Sequence, residues 1–349
     1  MTGSNNTATG SGALQSNTNG NDNTAAGYQA LAHNAFDAID NTAVGFGALF
    51  SNASGGFNTA IGFNALFSNT ASNNTAVGDL ALLNNTNGTL NTATGAAALF
   101  KNTTGNLNTA DGLEALFSNS TGIQNTATGA FALENNNASN NTADGFQALL
   151  SNTIGTQNTA TGESALKSNT TANNNTADGF QVLLHNTTGT GNTAVGFHAL
   201  LNNNGSSNIA LGSNAGGNLT TGSNNIDIGS VGAGGESHTI RIGTVGNQTR
   251  SFIAGIRGVA VTGSAVVVNS SNQLGVAPSA ARFKEAIQAM DKASEAILAL
   301  RPVTFHYKKE IDPDRTLQFG LVAEQLEKIN PELVVHDKEG NPIPCDTTR

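Results

Sequence analysis

Along the first two thirds of the chain the apolar positions are few, small and regularly placed. The segment NTAxG starts at Asn6, Asn23, Asn41, Asn58, Asn74, Asn91, Asn108, Asn125, Asn141, Asn158, Asn175 and Asn192. It continues as NIALG at Asn208 and NIDIG at Asn225, fourteen copies in all. Every spacing is 16, 17 or 18 residues, and most copies carry an Ala–Leu pair seven and eight residues after the Asn, as in Ala48–Leu49, Ala65–Leu66 and Ala115–Leu116. A fixed period of this kind marks a solenoid, in which each unit buries its apolar face only against its neighbours. A unit this short has no room for a helix pair, and Asn, Thr and Gly are poor helix formers. It suits two short strands separated by turns, one coil of a parallel β-roll or β-helix.

Within NTAxG the side chains alternate, so Ala and Gly share one face while Thr and x share the other. The x position varies freely (Val44, Asp111, Thr128, Asp178, Ile228), as a wet face would, whereas the Ala position departs from Ala only at Asp227. A small residue held there implies close backbone approach in a narrow interior. Phe46, Phe63, Phe146, Phe180 and Phe197, just after the Gly, add volume in some coils. One Leu and two Ala per coil make a thin core, which three chains side by side would deepen, so the expected assembly is a homotrimer. The aligned Asn residues are placed to form amide ladders along the axis. Fourteen coils at ~4.8 Å each predict a rod of roughly 65 Å.

Composition separates this rod from the remainder of the chain. Residues 1–232 hold two basic side chains, Lys101 and Lys167, against eleven acidic ones, and residues 233–349 hold thirteen of each. A surface without a basic stripe is not built for nucleic acid. Single scattered carboxylates read as solubility rather than as a steering field. Cys345 is the only cysteine, which excludes an intrachain disulfide. No run of eighteen apolar residues is present, so no membrane-spanning helix is expected. The opening MTGSNNTATG carries no signal-peptide pattern and starts inside the repeat, which predicts a further N-terminal segment. The Gly-Gly-x-Gly nonapeptide of calcium-binding β-rolls is absent, and His238 has no partner at metal-ligand spacing. No metal and no cofactor are expected.

The repeat resembles the head domain of YadA-type trimeric autotransporter adhesins, whose small-residue strands also end in Gly. The resemblance covers about residues 1–232 and implies a left-handed parallel β-roll in which three chains associate side by side.

From 233 the 17-residue period stops. HTIRIG, VAV and AVVV read as strands of a β-rich neck, 233–277. All six prolines then fall between Pro278 and Pro344. SAARFKEAIQAMDKASEAILALRP predicts a helix ended by Pro302, with Ile287, Met290, Ile297, Leu298 and Leu300 as its apolar positions. A strand at VTFHYKK comes next, then a turn at DPD. FGLVAEQLEKI predicts a second helix entered through a short strand and stopped by Pro331, and PELVVHDKEGNPI closes with a strand and a Gly turn.

SAARFKEAI, LRPVTFHYKK, QFGLVAEQLEKINPELVV and DKEGNP, in this order and spacing over residues 279–344, resemble the C-terminal intramolecular chaperone of phage endosialidases and tail spikes, the self-cleaving peptidase S74 family. The resemblance implies a small α+β domain, here 278–349, that trimerises, helps the preceding fibre fold in register and then cuts the chain at its own N-terminal edge. The family pattern Ser-Asp-x-Arg-x-Lys falls here on Ser279, Arg282 and Lys284, with Ala280 at the Asp position. It implies a Ser–Lys dyad cutting between Pro278 and Ser279, because a weak hydroxyl nucleophile needs a neighbouring base, which a Lys of depressed pKa supplies. The alternative for Ser279 is an ordinary helix N-cap. The sequence stops at CDTTR, short of the further strand and long helices the family carries.

The expected fold is therefore mainly β: a solenoid over 1–232, a neck and a small α+β chaperone domain. The expected function is a structural or adhesive trimeric fibre at a cell surface, secreted or in a virion tail, with a glycan or protein receptor as partner. Its only enzymatic activity would be self-cleavage. The second reading is a glycan-binding or glycan-degrading tail spike, against which the repeat offers no paired carboxylates and few irregular loops. Ice binding by the Thr row is a third.

Overall fold

Each NTAxG copy forms one three-residue strand, and each strand pairs in parallel with that of the next coil. The sheet runs in sequence order from β1 (Thr7–Thr9) through β14 (Ile226–Ile228), and β15 (Ile240–Ile242), from the segment expected as a neck, adds a fifteenth strand. Register places Ala over Ala, as in Ala25↔Ala43 and Ala43↔Ala60. The computed structural model describes residues 3–35, 38–253, 266–276, 285–287, 298–309, 315, 317–331, 334–336 and 342–344. It falls into two compact units, Met1–Phe252 and Ile253–Arg349.

The first unit is a parallel β-solenoid of about fourteen turns. The strand Ala residues from Ala25 to Ala210 are fully buried, and so are the pairs from Ala30–Leu31 to Ala199–Leu200, giving one continuous core column. The strand Thr and x residues face outward. The Gly that ends each strand adopts a left-handed backbone; at Gly112 φ is +142°. Its hydrogen packs directly on the backbone of the next coil's Gly, so the repeat ends in Gly for both space and conformation.

The expected second strand does not form. The Ala–Leu arm is instead a run of tight turns in which each of its leucines from Leu14 to Leu200 is left-handed, Leu49 at φ +51° and Leu116 at +53°. The reason lies in its hydrogen bonds. Gly47 N–H donates back to Tyr28 O at 3.0 Å, and Leu49 N–H donates forward to Ala65 O at 3.0 Å. The turn bonds Phe50 N–H to Gly47 O and Asn52 N–H to Leu49 O, both 3.2 Å, fold the arm on itself. A left-handed leucine costs roughly 1–2 kcal/mol. Burying its side chain returns about 1.5–3 kcal/mol, so the conformation is sustained.

Two asparagine columns run along the solenoid. In the first, the strand-opening Asn accepts the N–H of the corresponding Asn in the next coil, as in Asn108 N–H to Asn91 Oδ1 at 3.0 Å, and its Nδ2 donates to a turn carbonyl, as in Asn91 to Gly105 O at 2.8 Å. The second column stands eleven residues later, as Asn52 after Asn41 and Asn136 after Asn125. Its members donate to the same carbonyls, as Asn102 Nδ2 does to Gly105 O at 3.0 Å. Together they satisfy buried turn carbonyls that water cannot reach. The eleven-residue arm is constant in the first twelve coils, and all variation in coil length falls in the turn after the second Asn. That turn spans seven residues from Asn34 to Asn41, five from Asn69 to Asn74, Asn136 to Asn141 and Asn203 to Asn208, and six elsewhere.

In the second unit Val266–Val268 pairs antiparallel with Leu274–Val276, and Val303–Phe305 with Gln318–Gly320. A helix, α1 (Ala323–Ile329), comes next and ends at Asn330 before Pro331, with Glu324 in its first turn and Lys328 in its last, each favourable to the helix dipole. Val334–His336 pairs with Pro342–Pro344. Ala323, Leu326 and Val334 form a small core with Leu300 and Leu321 packed on it. Most of the helix expected after Ser279, Met290 and Ile297 included, lies outside the described residues, as does the VAV strand.

Candidate functional site

Two places depart from the repeat chemistry. The first is the end of the solenoid, where Asp227 occupies the interior Ala position of β14 and pairs in register with Arg241 of β15. Its side chain is 1% exposed and neither oxygen has a hydrogen-bond partner. Glu236 is bound by Arg241 in a forked pair at 2.7 and 2.8 Å, and its Oε1 also accepts Ala233 N–H at 2.7 Å. Desolvation, then the Glu236 charge, push the Asp227 carboxyl up to about 6; the Arg241 charge opposes the shift. The hydrogen bond from Arg241 holds Glu236 below the usual carboxylate range.

Asp227 therefore destabilises the last coil when ionised. Its folded pKa lies above the ordinary value of 3.8, so the folded state binds the proton more tightly and stability rises as pH falls from about 6 to about 3.8. Amide exchange at Ile226, corrected for intrinsic rate, is expected to slow between pH 7 and pH 5. Asp227→Ala, which restores the column, is expected to abolish that pH response and slow the exchange at pH 7. An unchanged pH response in the variant would contradict this assignment.

The second place is the C-terminal unit. Its hairpin brings His306 Nδ1 within 2.6 Å of Arg315 O, to which it donates, and Phe305 meets Tyr307 edge to face at 5.1 Å. Leu300 and Leu321, which flank this hairpin in sequence, pack on the cluster that holds Leu326 of α1. The order strand, strand, helix, strand is that expected from the sequence.

Residues 279–335 match the family model Chaperone of endosialidase, peptidase S74. A comparison with curated proteins found no match. The chaperone-of-endosialidase match spans the 303–305 and 318–320 strands, α1 and residues 334–335. It begins at Ser279, the predicted nucleophile. Ser279, Arg282 and Lys284 lie outside the described residues, as do Pro278 and Ala280, so the dyad has no geometry here. The hairpin and helix behind it do.

On the solenoid the sequence pointed to the aromatic positions but not to their arrangement. Tyr28, Phe46 and Phe63 stack at 5.1 and 5.2 Å and remain about half exposed. A second row holds Phe50 on Phe67 at 4.8 Å and Phe100 on Phe117 at 5.0 Å, with Lys101 Nζ 4.9 Å from the Phe117 ring. The column beside Thr on the outer sheet face alternates Thr and Asp from Thr94 to Asp178, then turns aliphatic at Val195, Leu211 and Ile228. Among the described residues no three His, Cys, Asp or Glu are placed to hold a metal, and no helix is long and apolar enough to cross a membrane.

Proposed function

We propose that residues 1–232 form the shaft of a homotrimeric structural or adhesive fibre, of the YadA-like head type or the phage tail-fibre type, displayed at a cell surface or virion tail. The C-terminal segment, 278–349, is its intramolecular chaperone. Lys284 takes the Ser279 hydroxyl proton as Ser279 Oγ adds to the Pro278 carbonyl. The Pro278–Ser279 C–N bond breaks with the proton passing to the Ser279 amine, and water hydrolyses the resulting Pro278 ester to a carboxylate, which releases the shaft. Arg282 stands between them in sequence. The observation that carries the reading is the chaperone-of-endosialidase match directly behind a repetitive solenoid. Near-identical coils pair with a wrong neighbour at little cost, so such a shaft needs an element that fixes chains in register first. Self-association is further supported by the outer sheet face of β13 (Ile209–Leu211), β14 and β15. There Ile209, Leu211, Ile228, Ile240 and Ile242 are 37–75% exposed, an aliphatic patch on the order of several hundred Å², the size that marks an interaction surface.

The test compares the full chain, Ser279→Ala and a chain stopped after Pro278, by native and denaturing mass measurement. The full chain is expected at three times the 35.3 kDa chain mass or, after cleavage, as a shaft trimer ending at Pro278. Ser279→Ala is expected to remain an uncut trimer, and the stopped chain is expected not to assemble. Equal assembly of the stopped chain would overturn the chaperone role, and cleavage persisting in Ser279→Ala would overturn the dyad.

A further inference from the structure

The 16-residue coils are not scattered. They open at Asn58, Asn125 and Asn192, 67 residues apart, so every fourth coil is one residue short. The same chemistry accompanies each. Ser72, Ser139 and Ser206 stand in the shortened turn, and their hydroxyl oxygens accept the N–H groups of Gly56, Ile123 and Thr190 in the preceding coil, each at 3.0 Å. The shortened turn also draws the two Asn columns together. Asn74 donates to Asn69 at 3.4 Å, Asn141 to Asn136 at 3.3 Å and Asn208 to Asn203 at 3.3 Å.

The second Asn column is open at two of the same three boundaries and at its longest at the third. Between them it is bonded amide to amide: Asn85 to Asn69 and Asn102 to Asn85 at 2.7 Å, Asn119 to Asn102 at 3.1 Å, then Asn152 to Asn136 and Asn169 to Asn152 at 2.7 Å and Asn186 to Asn169 at 3.3 Å. Entering a short coil, the bond stretches to 3.4 Å from Asn136 to Asn119. At the other two boundaries the Oδ1 atoms of Asn52 and Asn186 are buried with no donor at all. The first column crosses all three boundaries intact, through Asn58 N–H to Asn41, Asn125 N–H to Asn108 and Asn192 N–H to Asn175, at 2.9–3.0 Å. The boundaries are therefore weak in one ladder and continuous in the other and in the sheet.

We propose that the shaft opens in four-coil blocks, with joints at Asn52/Asn69, Asn119/Asn136 and Asn186/Asn203, and with 58–124 and 125–191 as its two complete blocks. In a one-dimensional array cooperativity is limited by the weakest nearest-neighbour interface, and a buried amide oxygen without a donor weakens the interface it faces. Recurrence of the same short turn and Ser hydroxyl every 67 residues, with the second ladder open or at its longest at each, makes the block, rather than the coil, the unit in which the shaft gains and loses structure. The blocks are a property of the single chain, independent of the trimer and of cleavage.

Equivalent leucine amides give the readout. From Leu14 to Leu200, twelve leucines donate to the next coil at 2.9–3.0 Å in the same turn, and only Leu49, Leu116 and Leu183 bond across a joint. Hydrogen exchange of the full chain is expected to be about tenfold faster at these three than at the leucines on either side. A glycine inserted between Ser139 and Asn140 lengthens the short turn and is expected to slow Leu116 to the rate of Leu99, leaving Leu49 and Leu183 fast. Rates that are uniform, or that change smoothly inward from the two ends, would overturn the block assignment in the unaltered chain, whether or not the insertion variant folds.

Discussion

Gly112→Ala is expected to cost about 3 kcal/mol or more and to shift the urea midpoint of the shaft accordingly. Gly112 sits at φ +142°, a region that costs a residue with a side chain roughly 1–3 kcal/mol. A Cβ there would also stand 2.6 Å from the carbonyl carbon and oxygen of Gly129 and 3.0 Å from Ala130 N. Gly129 cannot yield, because its own N–H is committed to Asp111 O at 2.7 Å and its coil is bonded onward to the next. Relief would have to come from displacing a whole coil. Thr109→Ala, at the exposed end of the same strand, serves as the control and is expected to change stability by about 0.5 kcal/mol or less. Circular dichroism in urea distinguishes the two; equal midpoints would show that the Gly stack tolerates a methyl group.

Asn91→Leu is expected to cost about 2–5 kcal/mol, although it replaces a polar side chain in a buried column by an apolar one of similar size. Asn91 Nδ2 donates to Gly105 O at 2.8 Å and to Asn74 Oδ1 at 3.2 Å, and its Oδ1 accepts Asn108 N–H at 3.0 Å. The substitution strands a backbone N–H away from water and deprives the Gly105 carbonyl of one of its two amide donors. Each unsatisfied buried group costs about 1–3 kcal/mol. The loss is expected to concentrate in the 91 and 108 coils, read as faster exchange at the Asn108 and Leu99 amides. A change below about 1 kcal/mol would mean that the ladder contributes little beyond shape.

The sequence carried the solenoid, its pitch and its interior because one residue type recurs at one place. Ala over Ala in register needs no further information once the spacing of Asn23, Asn41 and Asn58 is read. The turn-built arm was not legible. Leucine gives no hint of a left-handed backbone, and that conformation is set by bonds to the coils before and after, which alternation within one unit does not reveal. The second Asn column left a readable signal, an Asn eleven residues after each strand-opening Asn, and the every-fourth-coil shortening left another in the spacings themselves. Both are visible only when turns are compared coil by coil. Asp227 stood out as the one break in the Ala column, but its lack of a partner is a consequence of packing. Ser279, Arg282 and Lys284 came from family resemblance rather than from local chemistry, since a Ser before a helical pattern reads equally as a cap.

The contrast between a constant eleven-residue arm and a turn of five to seven residues gives the shaft one permissive wall. Chain inserted in that turn between Gly105 and Asn108 leaves the buried columns untouched, because both Asn102 and Asn91 bond the Gly105 carbonyl ahead of it. Guests placed in successive 17-residue coils would emerge along a single line at ~4.8 Å intervals. The turn is therefore a ready mount for a graduated peptide array whose length is set by the number of coils.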